Sequence, residues 1–181
     1  APLARNDALT IAAILIQIGM LAFRLESGRE LWVIILFHIT GTAMELFKTD
    51  VGSWSYGGEG VLRIGAVPLF SGFMYAAVGS YMLRVHRLHD LRFARYPRIW
   101  LTTIIATLIY INFFSHHYIW DLRWILLVSV ALIWGPTVMY FRVWRVTLKV
   151  PLLLVFAGVA LFIWIAENIA TWGGAWLYPN Q

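Results

Sequence analysis

Apolar residues fall in long, nearly uninterrupted runs, and the charged residues gather in the short gaps between them. The runs are about 16 to 23 residues long, enough at 1.5 Å per helical residue to cross a hydrocarbon core of roughly 30 Å. The pattern predicts an all-α fold: a polytopic transmembrane helix bundle of about six spans, forming a single domain over residues 1–181. The expected spans are Ala8–Phe23, Leu31–Phe47, Val61–Leu83, Ile99–His117, Arg123–Phe141 and Val150–Thr171. Pro68 is expected to bend the third span in its second turn, and Gly135–Pro136 to kink the fifth. Arg24–Glu30 reads as a tight charged turn and Lys48–Gly60 as a polar loop rich in glycine and aromatics. Arg84–Arg98 reads as a long basic segment and Trp172–Tyr178 as an aromatic tail. Because the chain starts at Ala1 without a recognisable leader, it reads as a fragment or a processed form, which leaves room for further helices before it.

Composition sharpens this picture. Charged residues make up 13% of the chain and apolar ones 61%, where a soluble domain carries about 25% charged residues. There is no cysteine, which excludes disulfides, thiolate metal sites, iron–sulfur ligation and a cysteine nucleophile. The formal net charge is +5, but the cations sit at helix ends, so no nucleic-acid partner is expected. Arg24, Arg29, Arg84, Arg87, Arg92, Arg95, Arg98, Arg142, Arg145 and Lys149 share one side of the predicted bundle, ten in all, against Arg5, Lys48, Arg63 and Arg123 on the other. By the positive-inside rule the larger group faces the cytoplasm, which puts Gln181 outside. The Arg84–Arg98 segment should then meet anionic lipid head groups. Trp54, Tyr56, Tyr118, Trp120, Trp172, Trp176 and Tyr178 read as an aromatic belt at the outer rim, and Gly72, Ala76 and Ser80 as a stripe allowing close helix approach.

Ionisable residues inside a span cost about 2.5–3.5 kcal/mol each, so they need a reason. Here they fall in three parallel spans, mostly at one depth. The second span carries His38, Thr42 and Glu45 on one helical face. The fourth carries Asn112 and His116 on one stripe, with His117 and Asp121 on the next. The sixth carries Glu167 and Asn168. Glu45, His38 and Glu167 are therefore the candidate catalytic residues. Asn112, Thr42 and Asn168 are candidate cofactor contacts, and His38, His116, His117 and Asp121 candidate metal ligands. Imidazole and carboxylate without thiolate suit a divalent metal, Zn²⁺ or Fe. Without a metal, a buried Glu beside a His would do acid–base work on an alkene or a leaving group. Histidine ligation of a haem or pigment is a further alternative. Each residue also has a plainer reading: Glu45 paired with Lys48, Asp121 with Arg123 or Arg5, and His86 and His89 on a solvated face beside Asp90.

Three readings of function stand. The first is a membrane enzyme that modifies a lipid or isoprenoid, acting on a hydrophobic small molecule from the outer half of the bilayer. The second is a non-enzymatic membrane subunit that binds a cofactor or anchors a larger complex. The third is a small transporter using Glu45 and Glu167 as a proton relay.

The stretch HITGTAMELFKTDVGSWSY from His38 to Tyr56 is followed by VPLFSGFMYAAVGSY at 67–81, IYINFFSHH at 109–117 and FIWIAENIATW at 162–172. Together they resemble the bacterial membrane proteins grouped as domain-of-unknown-function family 817. The resemblance covers the whole chain and implies a multi-pass protein of the bacterial inner membrane. A local pattern, His38-x-x-Gly41-Thr42-x-x-Glu45 with Gly52, Tyr56 and Val67-Pro68-Leu69, is similar to membrane carotenoid hydratases. That likeness implies addition of water to a terminal isoprenoid alkene.

Overall fold

A computed structural model describes residues 3–179. Six helices and five short strands follow one another as α1 (Arg5–Ala22), α2 (Gly28–Asp50), β1 (Arg63–Ile64), β2 (Val67–Pro68), α3 (Phe70–His89), β3 (Arg92–Ala94), α4 (Ile99–Ser115), α5 (Arg123–Trp134), β4 (Val138–Val143), β5 (Val146–Pro151) and α6 (Leu152–Trp172). The chain forms two compact units. One holds the residues up to Val85 and those from Asn168 onward; the other is His86–Glu167.

In the first unit, α1 ends at Ala22, Phe23 caps it, and the chain reverses through Arg24, whose φ of 54° is left-handed. Ser27 and Glu30 then start α2 with a reciprocal cap: the Ser27 amide donates to the Glu30 carboxylate at 2.6 Å, and the Glu30 amide donates to the Ser27 hydroxyl at 3.4 Å. Helices α2 and α3 approach closely at glycines. A methyl group at Gly41 would run into the Tyr75 ring, one at Gly72 into Thr42 and His38, and one at Gly79 into Phe37.

The expected third span starts too early. Residues 61–69 are not helical but make the β1–β2 hairpin, with Arg63 opposite Pro68 and Ile64 opposite Val67. Gly65, at φ 58°, turns it. Pro68 therefore bends no helix. It precedes the first turn of α3, and the buried Ser71 hydroxyl donates to its carbonyl at 2.8 Å. At its other end α3 runs into the expected basic segment and stops at His89.

In the second unit, α4 and α5 form a helical hairpin. The fifth expected span is also shorter than its apolar run. Helix α5 stops at Trp134, because Pro136 cannot continue the helical hydrogen bonding. Residues 138–151 then fold as the β4–β5 hairpin, with β3 added at the β4 edge. The core here is Ile105, Trp134 and Leu152, flanked by Val130, Ile133 and Met139. Thr137, fully buried, ties the pieces together: its hydroxyl donates to the Arg95 carbonyl at 3.0 Å, and its carbonyl accepts from the Leu152 amide at 3.0 Å.

The fold is thus mostly helical with small sheets, not all-α. Among the described residues, three helical segments, not six, are long and apolar enough to cross a membrane: Arg5–Ala22, Glu30–Asp50 and Leu152–Trp172. Helices α4 and α5 are apolar but have only 17 and 12 residues. At 1.5 Å per residue they reach about 26 and 18 Å, short of a hydrocarbon core of roughly 30 Å. Few residues of the three candidate spans are fully buried, and α6 is exposed along nearly its whole length. Only 17%, 17% and 6% of their windows are buried.

Candidate functional site

Glu45 lies near the end of α2 and keeps 3% of its surface exposed. Its Oε2 accepts hydrogen bonds from the Trp54 indole N–H at 2.8 Å and the Tyr56 hydroxyl at 2.8 Å. Its Oε1 accepts one from the Tyr75 hydroxyl at 2.9 Å. All three donors are neutral, and hydrogen bonds to a charged group contribute about 1.5–3 kcal/mol each.

Trp54 and Tyr56 reach Glu45 because the loop after α2 is folded back on it. Gly52 and Gly58 turn that loop at φ 72° and 88°. Ser55 pairs with Leu177 of the tail through two 2.9 Å backbone hydrogen bonds. The Asn6 amide donates to the Gly57 carbonyl at 3.0 Å. The Tyr56 ring meets Phe70 and Trp176 edge-on at 5.9 and 6.4 Å, and Trp54 meets Tyr178 at 6.2 Å. Two residues expected in an interfacial belt are therefore turned inward as donors to a carboxylate.

Burial, then the negative charge of Glu45 and the hydrogen bond to it, push the Tyr56 phenol far above its ordinary range, so it stays protonated. Tyr56 also lines a cleft of ≈ 20 Å³ bounded by Asn6, Arg63, Ala66 and Pro68. That is room for about one water.

One turn and two turns before Glu45 stand Thr42 and His38. The Thr42 hydroxyl donates to the His38 carbonyl at 2.8 Å. The His38 ring meets Phe73 edge-on at 4.7 Å, and its buried Nδ1 has no hydrogen-bond partner among the described residues.

The second unit assembles its polar residues differently. Asp121 accepts from the Arg123 amide at 2.9 Å, from the Arg123 side chain at 2.5 Å and from the Asn112 amide at 3.1 Å. The Asn112 oxygen accepts from the Leu122 amide at 2.8 Å. Asn112 and Asp121 thus lock the α4–α5 turn. The Arg123 backbone N–H, then the Asn112 amide and the Arg123 side chain, hold the Asp121 carboxyl down at about 2. His116 Nδ1 lies 2.9 Å from the Asn112 carbonyl, and the His116 and His117 rings are tilted against each other at 4.1 Å. Glu167 and Asn168 sit on the exposed surface of α6. Among the described residues, no three His, Asp or Glu side chains gather as a metal-ligand group.

Three partners in the first unit were not anticipated. Tyr75 was hidden inside an apolar run. Asp7, 5% exposed, accepts from the Val61 and Leu62 amides at 3.0 and 2.8 Å and pins the β1 approach. Glu26, 7% exposed, accepts from the Gln17 amide at 2.6 Å and from the Ser80 hydroxyl. Both acids stand in polar gaps of the sequence, where a solvated side chain is the default expectation.

Comparison with known proteins adds the family. The model of a family described as a protein of unknown function (DUF817) matches residues 1–181. The chain belongs to this family. A relative, the "Uncharacterized protein YoaT" of Bacillus subtilis (strain 168), is 45% identical over 179 residues, which is 99% of this chain and 68% of the relative. No solved structure matches. Family membership agrees with the resemblance drawn from the His38–Tyr56 stretch and the later motifs.

Proposed function

We propose that this chain is a membrane-embedded enzyme that modifies a lipid or isoprenoid, with Glu45 as its working carboxylate. The membrane placement is supported by three helices long and apolar enough to cross a membrane, few of whose residues are fully buried. The observation that carries the chemistry is the buried Glu45 carboxylate gripped by Trp54, Tyr56 and Tyr75, with Tyr56 reaching on to a water-sized cleft. Three donors aimed at the carboxylate suit the base half of an acid–base role. As a water or hydroxyl in the cleft gives a proton to the Tyr56 oxygen, the Tyr56 proton passes along the 2.8 Å hydrogen bond to Glu45. The activated oxygen then bonds to an electrophilic carbon of the apolar substrate, the bond from that carbon to its leaving group breaks with its electron pair, and the departing group takes the proton back from Glu45 through Tyr56. The reading uses Glu45, Tyr56 and Tyr75 and asks nothing of His116, His117 or Asp121.

A second reading is favoured by one feature. Three neutral donors occupy Glu45, and the cleft holds about one water, so the cluster can equally serve as a clamp that closes the loop in a non-enzymatic membrane subunit.

The test is a comparison of lipid extracts from cells making the wild-type protein, Glu45→Gln or Tyr56→Phe at matched membrane abundance. The enzyme reading expects lipid or isoprenoid species whose amounts depend on the wild type and revert in both variants. Identical extracts from all three strains and from cells lacking the protein would leave the clamp.

A further inference from the structure

The second unit carries a strongly cationic sheet face that the chemistry at Glu45 does not use. Register fixes its membership. Arg92 of β3 stands opposite Tyr140 of β4, and Tyr140 opposite Lys149 of β5. Arg142, two residues beyond Tyr140 and opposite Thr147, shares their face. The other face carries Phe93, Met139, Val150, Phe141, Leu148 and Val143. Met139 packs on the Ile105–Trp134–Leu152 core, so the cationic face is the one turned away from that core. Arg92, Arg142, Thr147 and Lys149 are all exposed.

Three further exposed cations flank the face: Arg95 and Arg98 between β3 and α4, and Arg145 in the hairpin turn. Against these six cations the neighbourhood offers one acid, Asp90, paired with Arg92 at 2.7 Å. Beside Arg145, Trp144 is 94% exposed at a left-handed φ of 57°.

Connectivity says where this face lies. The start of α4, the end of α5 and the start of α6 all meet the sheet within a few residues: Arg98 precedes α4, Gly135 follows α5 and Pro151 precedes α6. A sheet at the start of α6, a candidate span, and beside the ends of two shorter apolar helices sits where α6 leaves an apolar medium. Cations and an exposed tryptophan at that level are what an anionic interface selects.

We infer that the Arg92–Arg142–Lys149 face of the β3–β4–β5 sheet, with Arg95, Arg98 and Arg145 at its margins, is a docking surface for the head groups of anionic phospholipids. The inference rests on the membrane placement proposed above and not on the chemistry at Glu45. The charge count selects the partner: six cations with one local acid complement a surface of phosphodiesters.

Native mass spectrometry of the purified full chain tests it, with phosphatidylglycerol and phosphatidylcholine offered in turn. The wild type should retain the anionic lipid preferentially, and retention should fall as salt rises. Replacing Arg92, Arg142 and Lys149 together by Gln should weaken that retention on the order of 100-fold, since each cation near an anionic surface contributes about a factor of five. Arg24→Gln, in the α1–α2 turn, should leave retention intact. Equal retention of both lipids by the wild type, or an undiminished preference in the triple variant, overturns the inference. An alkaline carbonate wash of membranes separates the two levels. A chain that resists the wash but shows no lipid preference defeats the docking surface alone, whereas a chain released by it defeats the membrane placement as well.

Discussion

Removing the Tyr75 hydroxyl takes away one of the three donors to Glu45 and leaves Oε1 unpaired in a buried site. Tyr75→Phe should therefore lower stability by about 1.5–3 kcal/mol, read as a shift in unfolding in detergent. Tyr56 makes a different prediction. Its folded-state pKa is raised above the ordinary 10.0, so the folded protein binds the phenolic proton more tightly than the unfolded chain. The stabilisation is fully present below pH 10.0 and is lost as pH rises beyond it. Tyr56→Phe should flatten that alkaline loss. For Asp121 the sign reverses. Its folded value of about 2 lies below the ordinary 3.8, so its contribution is present above pH 3.8 and disappears as pH falls toward 2. Hydrogen exchange at the Leu122 and Arg123 amides should accelerate across that acid window, and Asp121→Ala should make both amides fast at neutral pH. At this scale the sequence showed Glu45, because a carboxylate inside an apolar run is conspicuous. It did not show the partners, because Trp54, Tyr56 and Tyr75 are aromatics in places where lipid contact or plain packing explains them equally well.

Helix positions were legible from the apolar runs, and α1, α2, α4 and α6 lie close to the expected spans. The sheets were not, because their residues extend the helical runs without a change of polarity. The overlooked signals were local. Gly65 and Pro68 punctuate residues 61–69, and Val146-Thr147-Leu148-Lys149-Val150 alternates with period two and is rich in β-branched residues. The hairpin supplies a test of its own. Trp144 holds a left-handed backbone that L residues adopt at some cost and glycine adopts freely. Trp144→Gly should stabilise the β4–β5 hairpin by up to about 1 kcal/mol, measured by amide exchange in β4 and β5. Between α2 and α3 the sign is opposite. A methyl group at Gly41 would meet the Tyr75 ring, so Gly41→Ala should force the helices apart and cost about 1–3 kcal/mol.

At the scale of the whole chain, the first unit brings together residues that the sequence keeps far apart. Arg5 at the start of α1 donates to the Gly173 carbonyl at 2.9 Å and the Gly174 carbonyl at 3.3 Å, past the end of α6. Asp7 holds the amides before β1, and Ser55 pairs with Leu177. These ties close the loop over Glu45, and no periodicity in the sequence could have announced them. In the second unit Asn112 and Asp121 face their own turn, a local pairing that helical spacing alone does not reveal. The most direct measurement is a density map, at side-chain resolution, of the full chain in a lipid nanodisc. The expected map has α1, α2 and α6 sheathed in lipid and the Glu45 carboxylate within hydrogen-bonding distance of Trp54, Tyr56 and Tyr75. A Glu45 side chain turned away from those three donors, or these helices standing in water, would contradict it.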